Sequence, residues 1–258
     1  MNKLSVTIIA FNEEENLPRC LESVKFADEI VVVDNSSTDR TVKIARENGA
    51  IVETGRQSGF GQAKRQAVAA ASADWILSID ADEVVTDDLA NEIKTVLAGD
   101  PQHDGFYVPR LTNFLGRWIY HCGWYPDPVI RLFKKCRGNF NSAPVHEQVE
   151  VQGSVGRLSH HLLHYSYPNL EVYFKKFNRY TTLAAREEAE QGRRSGWYDL
   201  TVRPLACFLK HYLLRRGFLD GLEGLMISVF SSCYVFTKYA KVRTFAREAK
   251  GVGESKSG

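Results

Sequence analysis

The chain has 258 residues, of which 44% are hydrophobic and 25% charged, with a formal net charge of +2. This is an ordinary globular composition; it excludes collagenous, low-complexity and strongly charged disordered chains, and it makes no case for nucleic acid as a partner. The five cysteines (Cys20, Cys122, Cys136, Cys207 and Cys233) are scattered without metal-ligand spacing and read as reduced thiols, mostly packing residues.

Leu4–Phe11 is almost wholly apolar and rich in β-branched residues, the pattern of a strand buried on both faces. The chain turns polar at Asn12-Glu13-Glu14-Glu15, so no secretory leader is read there. A helix is expected from Leu17 to about Phe26, with Asn12 as its N-cap. Ile30–Val33 is a second buried strand and ends in the turn cluster Asp34–Asp39. A helix from Arg40 to Asn48 follows, closed by Gly49. A short strand Ala50–Glu53, a glycine-containing loop Gly55–Gly61, an Ala-rich helix Gln62–Ala73 and a fourth strand Trp75–Ile79 complete the series. Strands alternating with helices predict an α/β protein with right-handed βαβ units.

The fourth strand runs into Asp80-Ala81-Asp82-Glu83. Side chains repeat every two residues along a strand, so Asp80 and Asp82 are expected on one side, where they repel unless a cation lies between them. Hard divalent ions such as Mg²⁺ or Mn²⁺ take carboxylate oxygens and keep places for phosphates. The competing reading is a solvated strand end before a helix capped by Thr86-Asp87-Asp88. Ligands of open α/β sheets bind beyond the carboxyl ends of the strands. Phe11-Asn12, Asp34-Asn35 and Asp80–Glu83 all follow such ends, and this convergence favours function. Neither G-x-G-x-x-G after the first strand nor G-x-x-x-x-G-K-[ST] occurs, which argues against a dinucleotide oxidoreductase or a P-loop NTPase.

The series V-T-I-I-A-F-N-E-E-E-N-L, V-V-V-D-N-S-S-T-D-R-T, the Lys64-containing helix and L-S-I-D-A-D-E resembles the family 2 glycosyltransferases of the GT-A fold over residues 4 to 90. The resemblance implies an inverting, metal-dependent hexosyltransferase that uses a UDP-sugar donor. It implies a mostly parallel sheet flanked by helices, with a C-terminal helical appendage. By that resemblance Asp34 contacts the base and Phe11 lies by the uracil ring. Asn12 and Glu13 match the family's N-E pair, Lys64 lies near the nucleotide, and Asp80 and Asp82 hold metal and diphosphate. Asp34 also reads as a turn residue that caps the next helix, and Lys64 as part of a solvated helix face.

Further strands are expected at Phe106–Arg110, from Ile119 onward and at Val129–Phe133, with Phe114–Trp118 as a loop. An inverting transfer needs one general base for the acceptor hydroxyl. Glu147, in Ala143-Pro144-Val145-His146-Glu147-Gln148, is the candidate, with His146 orienting it or acting itself and Asp127 as runner-up. The G-W-Y-P-D, R-L-F and V-H-E series is similar to the branch that builds the lipopolysaccharide inner core, which implies glucose transfer from UDP-glucose to a heptose. The family's E-D pair and Q-x-x-R-W are absent. The same chemistry on a peptide or polyprenyl-linked acceptor, and a non-catalytic nucleotide-sugar-binding subunit, remain alternatives. His164, in H-H-L-L-H-Y, is a candidate third metal ligand, against a structural role.

Leu170–Arg194 reads as a charged helix and Val202–Ala249 as two apolar helices broken near Gly217 and edged by Lys and Arg. No stretch reaches the roughly 18 uncharged apolar residues of a membrane span. An edge of this kind suits the inner surface of the bacterial inner membrane, and would make a cytoplasmic, peripheral protein with a lipid-linked saccharide acceptor. Packing on the catalytic domain or against a second copy, as a homo-oligomer, is the alternative. The expected organisation is a catalytic domain over 1–165 (nucleotide-binding half about 1–100, acceptor half about 101–165), a helical region over 166–250 and a disordered tail over 251–258.

Overall fold

The computed structural model describes residues 2–55, 59–141 and 148–254, with residue 60 and residues 248–254 described by backbone alone. The elements are β1 (Leu4–Ala10), α1 (Leu17–Ser23), β2 (Glu29–Asp34), α2 (Thr41–Glu47), β3 (Ile51–Thr54), α3 (Phe60–Ala70), β4 (Trp75–Asp80), β5 (Glu83–Val85) and α4 (Asp87–Ala98). Then come β6 (Gly105–Phe114), β7 (Arg117–Ile119), β8 (Asp127–Lys134), β9 (Gly138–Phe140), β10 (Val149–Val151), β11 (Val155–Arg157) and β12 (Leu162–Tyr167). The helices α5 (Leu170–Glu190), α6 (Trp197–Leu200), α7 (Val202–Leu209) and α8 (Gly221–Glu254) close the chain.

They form two compact units: Met1–Leu111 with Pro126–Tyr165, and Thr112–Tyr125 with Ser166–Gly258. In the first unit the sheet order is β3-β2-β1-β4-β8-β6-β12-β5. The four strands β3-β2-β1-β4 are parallel, as the βαβ pattern predicts, and β4-β8, β8-β6 and β12-β5 are antiparallel. The sheet is therefore mixed, where a mostly parallel one was expected. Apolar residues on both faces explain why the central strands lie inside: Val6, Ile8, Val31, Val32, Ile76 and Leu77 are fully buried. Burial of each such side chain is worth about 1.5–3 kcal/mol.

Several local expectations shift. α1 starts at Leu17 as expected but ends earlier, at Ser23, and its N-cap is Asn16, without a side-chain bond, where Asn12 was expected; Asn12 turns to a left-handed backbone with φ of 53°. Thr86 caps α4 by accepting from the Leu89 amide. The expected loop Phe114–Trp118 is a tight hairpin joining β6 to β7, with positive φ at Leu115 and Gly116, the conformation that matches strand twist. The loop expected at Gly55–Gly61 lies partly outside the described residues.

The second unit packs Phe114, Ile119 and Cys122 against Tyr173 and Ile227 of α5 and α8, and Ala185 against Tyr239 and Val242. The Lys241 ammonium of α8 donates to Asn178 Oδ1, Thr181 Oγ1 and Thr182 Oγ1 on α5, at 2.7, 2.8 and 2.8 Å. The last third of the chain contains more than two helices, because a π turn (Lys210–Leu214) and a 3₁₀ turn (Gly217–Asp220) stand between α7 and α8. Charged residues still interrupt every apolar run of the last third, but Gly217–Arg247, 31 residues, holds an 18-residue window of mean hydropathy 1.3 and is long and apolar enough to cross a membrane by length and composition alone. α8 continues to Glu254, and the rest of the expected tail lies outside the described residues.

Candidate active site

β1 lies between β2 and β4, and the register sets Asp34 beside Ala10 and Asp80 beside Ile9. The acids that end the two flanking strands thus stand at one edge of the sheet, where β1 gives way to Phe11-Asn12-Glu13. The loops there are tied together. The Asn12 amide donates to Ser37 Oγ at 2.9 Å, and Asn12 Oδ1 accepts from the Thr38 amide at 2.8 Å. The Glu13 amide donates to Thr41 Oγ1, and the Glu13 carboxylate accepts from the Asn16 amide group at 2.6 Å.

Asp34 is buried. Its Oδ2 accepts from the Ser36 and Ser37 amides at 3.1 and 3.0 Å, a turn-capping role. Its Oδ1 is buried with no hydrogen-bond partner among the described residues. A buried acceptor left unpaired costs about 1–3 kcal/mol, so this atom is suited to a donor brought by a ligand. Gly55 closes over the turn: its amide donates to the Asp34 carbonyl at 2.6 Å, and a Cβ there would lie 3.0 Å from that oxygen. Phe11 stands 51% exposed at the same edge.

Next to this lies a ladder of alternating charges. Lys64 of α3 reaches Asp80 Oδ1 at 2.9 Å. Arg131 of β8 donates to Asp80 Oδ2 at 2.7 Å and to Glu83 Oε1 at 2.6 Å. Glu83 is fully buried; its Oε2 accepts from the Asp80 amide at 2.9 Å and its Oε1 also receives Arg110 at 3.3 Å. Arg110 then binds Asp127 Oδ2 through Nε and Nη2 at 3.0 and 2.5 Å. Three bases and three acids alternate, so the buried charge is balanced within the ladder. Burial raises the Asp80 carboxyl, but the charges of Arg131 and Lys64 outweigh it and hold the group well below the usual carboxylate range. Burial lowers Arg131, and Asp80 and Glu83 reverse that and raise it.

Asp82 follows in the turn between β4 and β5. β12 pairs with β5 so that His164 stands opposite Glu83, and the Tyr165 amide donates to the Asp82 carbonyl at 2.9 Å. This pairing brings His164 Nε2 to 3.4 Å from Asp82 Oδ2. Adjacent ligands of an octahedral ion bound at 2.0–2.1 Å are separated by about 3 Å, so carboxylate and imidazole stand at a spacing that suits one hard divalent ion. Among the described residues His164 Nδ1 is buried without a hydrogen-bond partner. Asp80 differs from the sequence reading: both its oxygens face bases, where a cation shared with Asp82 was expected. Among the described residues no three His, Cys, Asp or Glu side chains gather as a metal cluster. Below the acids the Cys20 thiol lies 3.7 Å from the Asp80 carbonyl, and burial, followed by Glu83, Asp82 and Asp80, pushes its pKa well up. It is a packing group, as its isolation in the sequence suggests.

Of the candidate bases, Asp127 lies on β8 in its ion pair with Arg110, 43% exposed at the side chain. Glu147 and His146 lie outside the described residues. Sequence reasoning passed over Arg131 and Arg110, and gave Glu83 no role of its own within the acidic strand end. Their signal was present: an arginine inside the apolar run Val-Ile-Arg-Leu-Phe must find a buried acid.

The model of the Glycosyl transferase family 2 domain matches residues 5–142. The chain is 30% identical to an uncharacterised glycosyltransferase of Rickettsia typhi over 98% of this chain and 90% of that protein. It is likewise 30% identical to the lipopolysaccharide core biosynthesis glycosyltransferase LpsC of Rhizobium meliloti, over 93% of this chain and 91% of the relative. Among solved structures it is similar to glucosyl-3-phosphoglycerate synthase of Mycobacterium tuberculosis, with TM-score 0.40 and 22% identity over 52% of this chain and 57% of that one. With the family model covering more than half of its length, and relatives matched almost end to end, the chain belongs to glycosyl transferase family 2.

Proposed function

We propose that this glycosyltransferase moves a hexose, glucose from UDP-glucose, onto a heptose of the lipopolysaccharide inner core, with inversion. The observation that carries the acceptor is the nearly full-length likeness to LpsC. For the donor, the support is the unpaired buried Oδ1 of Asp34 at the edge where Phe11 is exposed. Asp34 Oδ1 accepts the uracil N3–H, Phe11 covers the ring, and Asn12 and Glu13 hold the loop that frames it. Asp82 and His164 hold Mg²⁺ or Mn²⁺, which when bound supplies positive charge to the departing diphosphate. Lys64 and Arg131 fix Asp80 and add positive charge beside the diphosphate. Glu147 takes the proton from the acceptor hydroxyl, with His146 orienting it; Asp127 is the second choice because Arg110 already engages it. Catalysis takes place at the cytoplasmic surface of the inner membrane, where the lipid-linked acceptor resides.

Calorimetry with a panel of nucleotide-sugars, with and without Mn²⁺, tests the donor. UDP-glucose is expected to bind more tightly with metal, and Asp82→Ala to remove the metal-dependent part and lower transfer by at least about a hundredfold. Full transfer by Asp82→Ala would overturn the metal assignment. Glu147→Gln is expected to keep donor binding and lose about 10²- to 10⁴-fold in kcat; turnover within a few-fold of the parent moves the base to Asp127.

A further inference from the structure

The second unit has a cleft with no part in the chemistry above. It is an open cavity of about 330 Å³, and Tyr120, His121, Tyr125, Arg215 and Arg216 are among its walls. The cleft is organised from beneath. Asp220 is buried and accepts from the His121 amide at 2.8 Å, while its other oxygen lies 2.9 Å from His121 Nδ1. Gly123 has φ of +72° and the Arg215 guanidinium lies against it, where a Cβ would clash; Arg215 also donates to the Gly123 carbonyl at 3.2 Å. Arg216 sits in the left-handed region with φ of 54°, which turns the chain between the π and 3₁₀ turns. Among the described residues no acid pairs with Arg215 or Arg216. Asp220 is taken by His121, and Glu223 faces Arg117 at 3.8 Å. Two exposed guanidinium groups beside two tyrosines, 5.6 Å apart between ring centroids, form a cleft for an oxyanion with polar substituents.

The surroundings of the cleft are apolar. Leu214, one of its walls, is 81% exposed. Val202, Leu205, Leu209 and Leu213 recur at helical spacing and are all exposed, and Phe218 and Leu219 continue the surface. Lys210 lies exposed in the same segment. An apolar stripe beside unpaired cations complements an anionic leaflet rather than an aqueous phosphate.

We propose that the cleft of Tyr120, His121, Arg215 and Arg216 binds the anionic head group of a bilayer amphiphile while the neighbouring leucine stripe enters the acyl boundary of the same leaflet. This rests on the membrane-surface part of the proposed function and deepens it by naming the head-group chemistry and the residues that read it.

The full chain is co-sedimented with vesicles of phosphatidylcholine, alone or containing phosphatidylglycerol. Binding is expected to be stronger with phosphatidylglycerol, and Arg215→Gln with Arg216→Gln to lower it about five-fold per arginine. Arg194→Gln with Arg247→Gln, which removes the same charge elsewhere in this unit, should stay within about two-fold. Leu213→Ser with Leu214→Ser should weaken binding to both vesicle types. Soluble glycerol phosphate should not release the protein; release would mean a free-anion site and overturn the lipid assignment. Equal loss in the two arginine pairs, parent-like binding by the cleft pair, or no preference for phosphatidylglycerol would overturn the cleft while leaving surface contact standing. No binding to any vesicle overturns both, and donor calorimetry reads the transferase site separately. If the glutamine pair fails to fold, Arg215→Lys with Arg216→Lys answers the question: loss of the fork should weaken binding, and parent-like binding would overturn the cleft.

Discussion

The two units treat the same residue types in opposite ways. The first buries its apolar side chains around a sheet and also buries charge: Arg131 and Glu83 are almost wholly enclosed. Among the described residues its exposed large apolar side chains are Phe11 and Ile51, whereas from Tyr120 onward such residues belong to the second unit. The second unit buries the carboxylates of Asp199 and Asp220 but leaves leucines in solvent, with Leu205 60% and Leu222 68% exposed. The contrast teaches where each unit's function is built. A buried ladder holds charged groups still, and an exposed apolar surface leaves area for something to cover.

The largest expected effect comes from breaking the ladder. Arg131→Met leaves Asp80 and Glu83 without their shared partner and should destabilise the first unit by about 3–5 kcal/mol, measured by chemical denaturation. A loss below 1 kcal/mol would mean that the ladder does not hold the unit together.

Acid sharpens the same point. The folded Asp80 carboxyl lies below its unfolded value of about 3.9, so the folded state takes up its proton less readily. Its stabilisation is present above that value and is lost as the pH falls from there through the folded value. Glu29 and Glu92, also held low, add to the slope: burial raises each, and hydrogen bonds from Ser5 and Ser72, and from Ser159 and His160, outweigh it. Asp80→Asn should therefore be less stable at neutral pH and lose less between about pH 5 and pH 3 than the parent. Parallel pH profiles would overturn the assignment.

In the second unit the polar anchor of α8 is smaller. Lys241→Met removes the bonds to Asn178, Thr181 and Thr182 and should cost about 1–2 kcal/mol, seen as a lower Tm. Smallest of all, Leu214→Ser should change stability by no more than about 0.5 kcal/mol, because the side chain is 81% exposed. A large loss would show that the stripe belongs to a core.

Much of the first unit was legible because its information is local. Apolar runs of strand length, turn clusters and helix caps recur in the order that a βαβ series requires, so the edge carrying Asp34 and Asp80 was found from position alone. The partners of those acids were hidden. Arg131 and Glu83 are separated by 48 residues, and no spacing rule joins an arginine on β8 to an acid on β5. The period-two reading of Asp80 and Asp82 stopped at the end of β4, because the chain turns there and each acid meets a different neighbour.

The sequence by itself determined the family, the alternation of strands and helices, the acids at the strand ends and the apolar, basic-edged character of the last third. These follow from side-chain chemistry over a few residues and from motif order. The tertiary structure decided the rest. It set the antiparallel half of the sheet, the buried ladder from Lys64 to Asp127 and the approach of His164 to Asp82. In the other unit it set the cleft over Asp220. Each depends on strands or turns far apart in the chain meeting in one register, and burial then turns that meeting into charge pairing that no local pattern encodes.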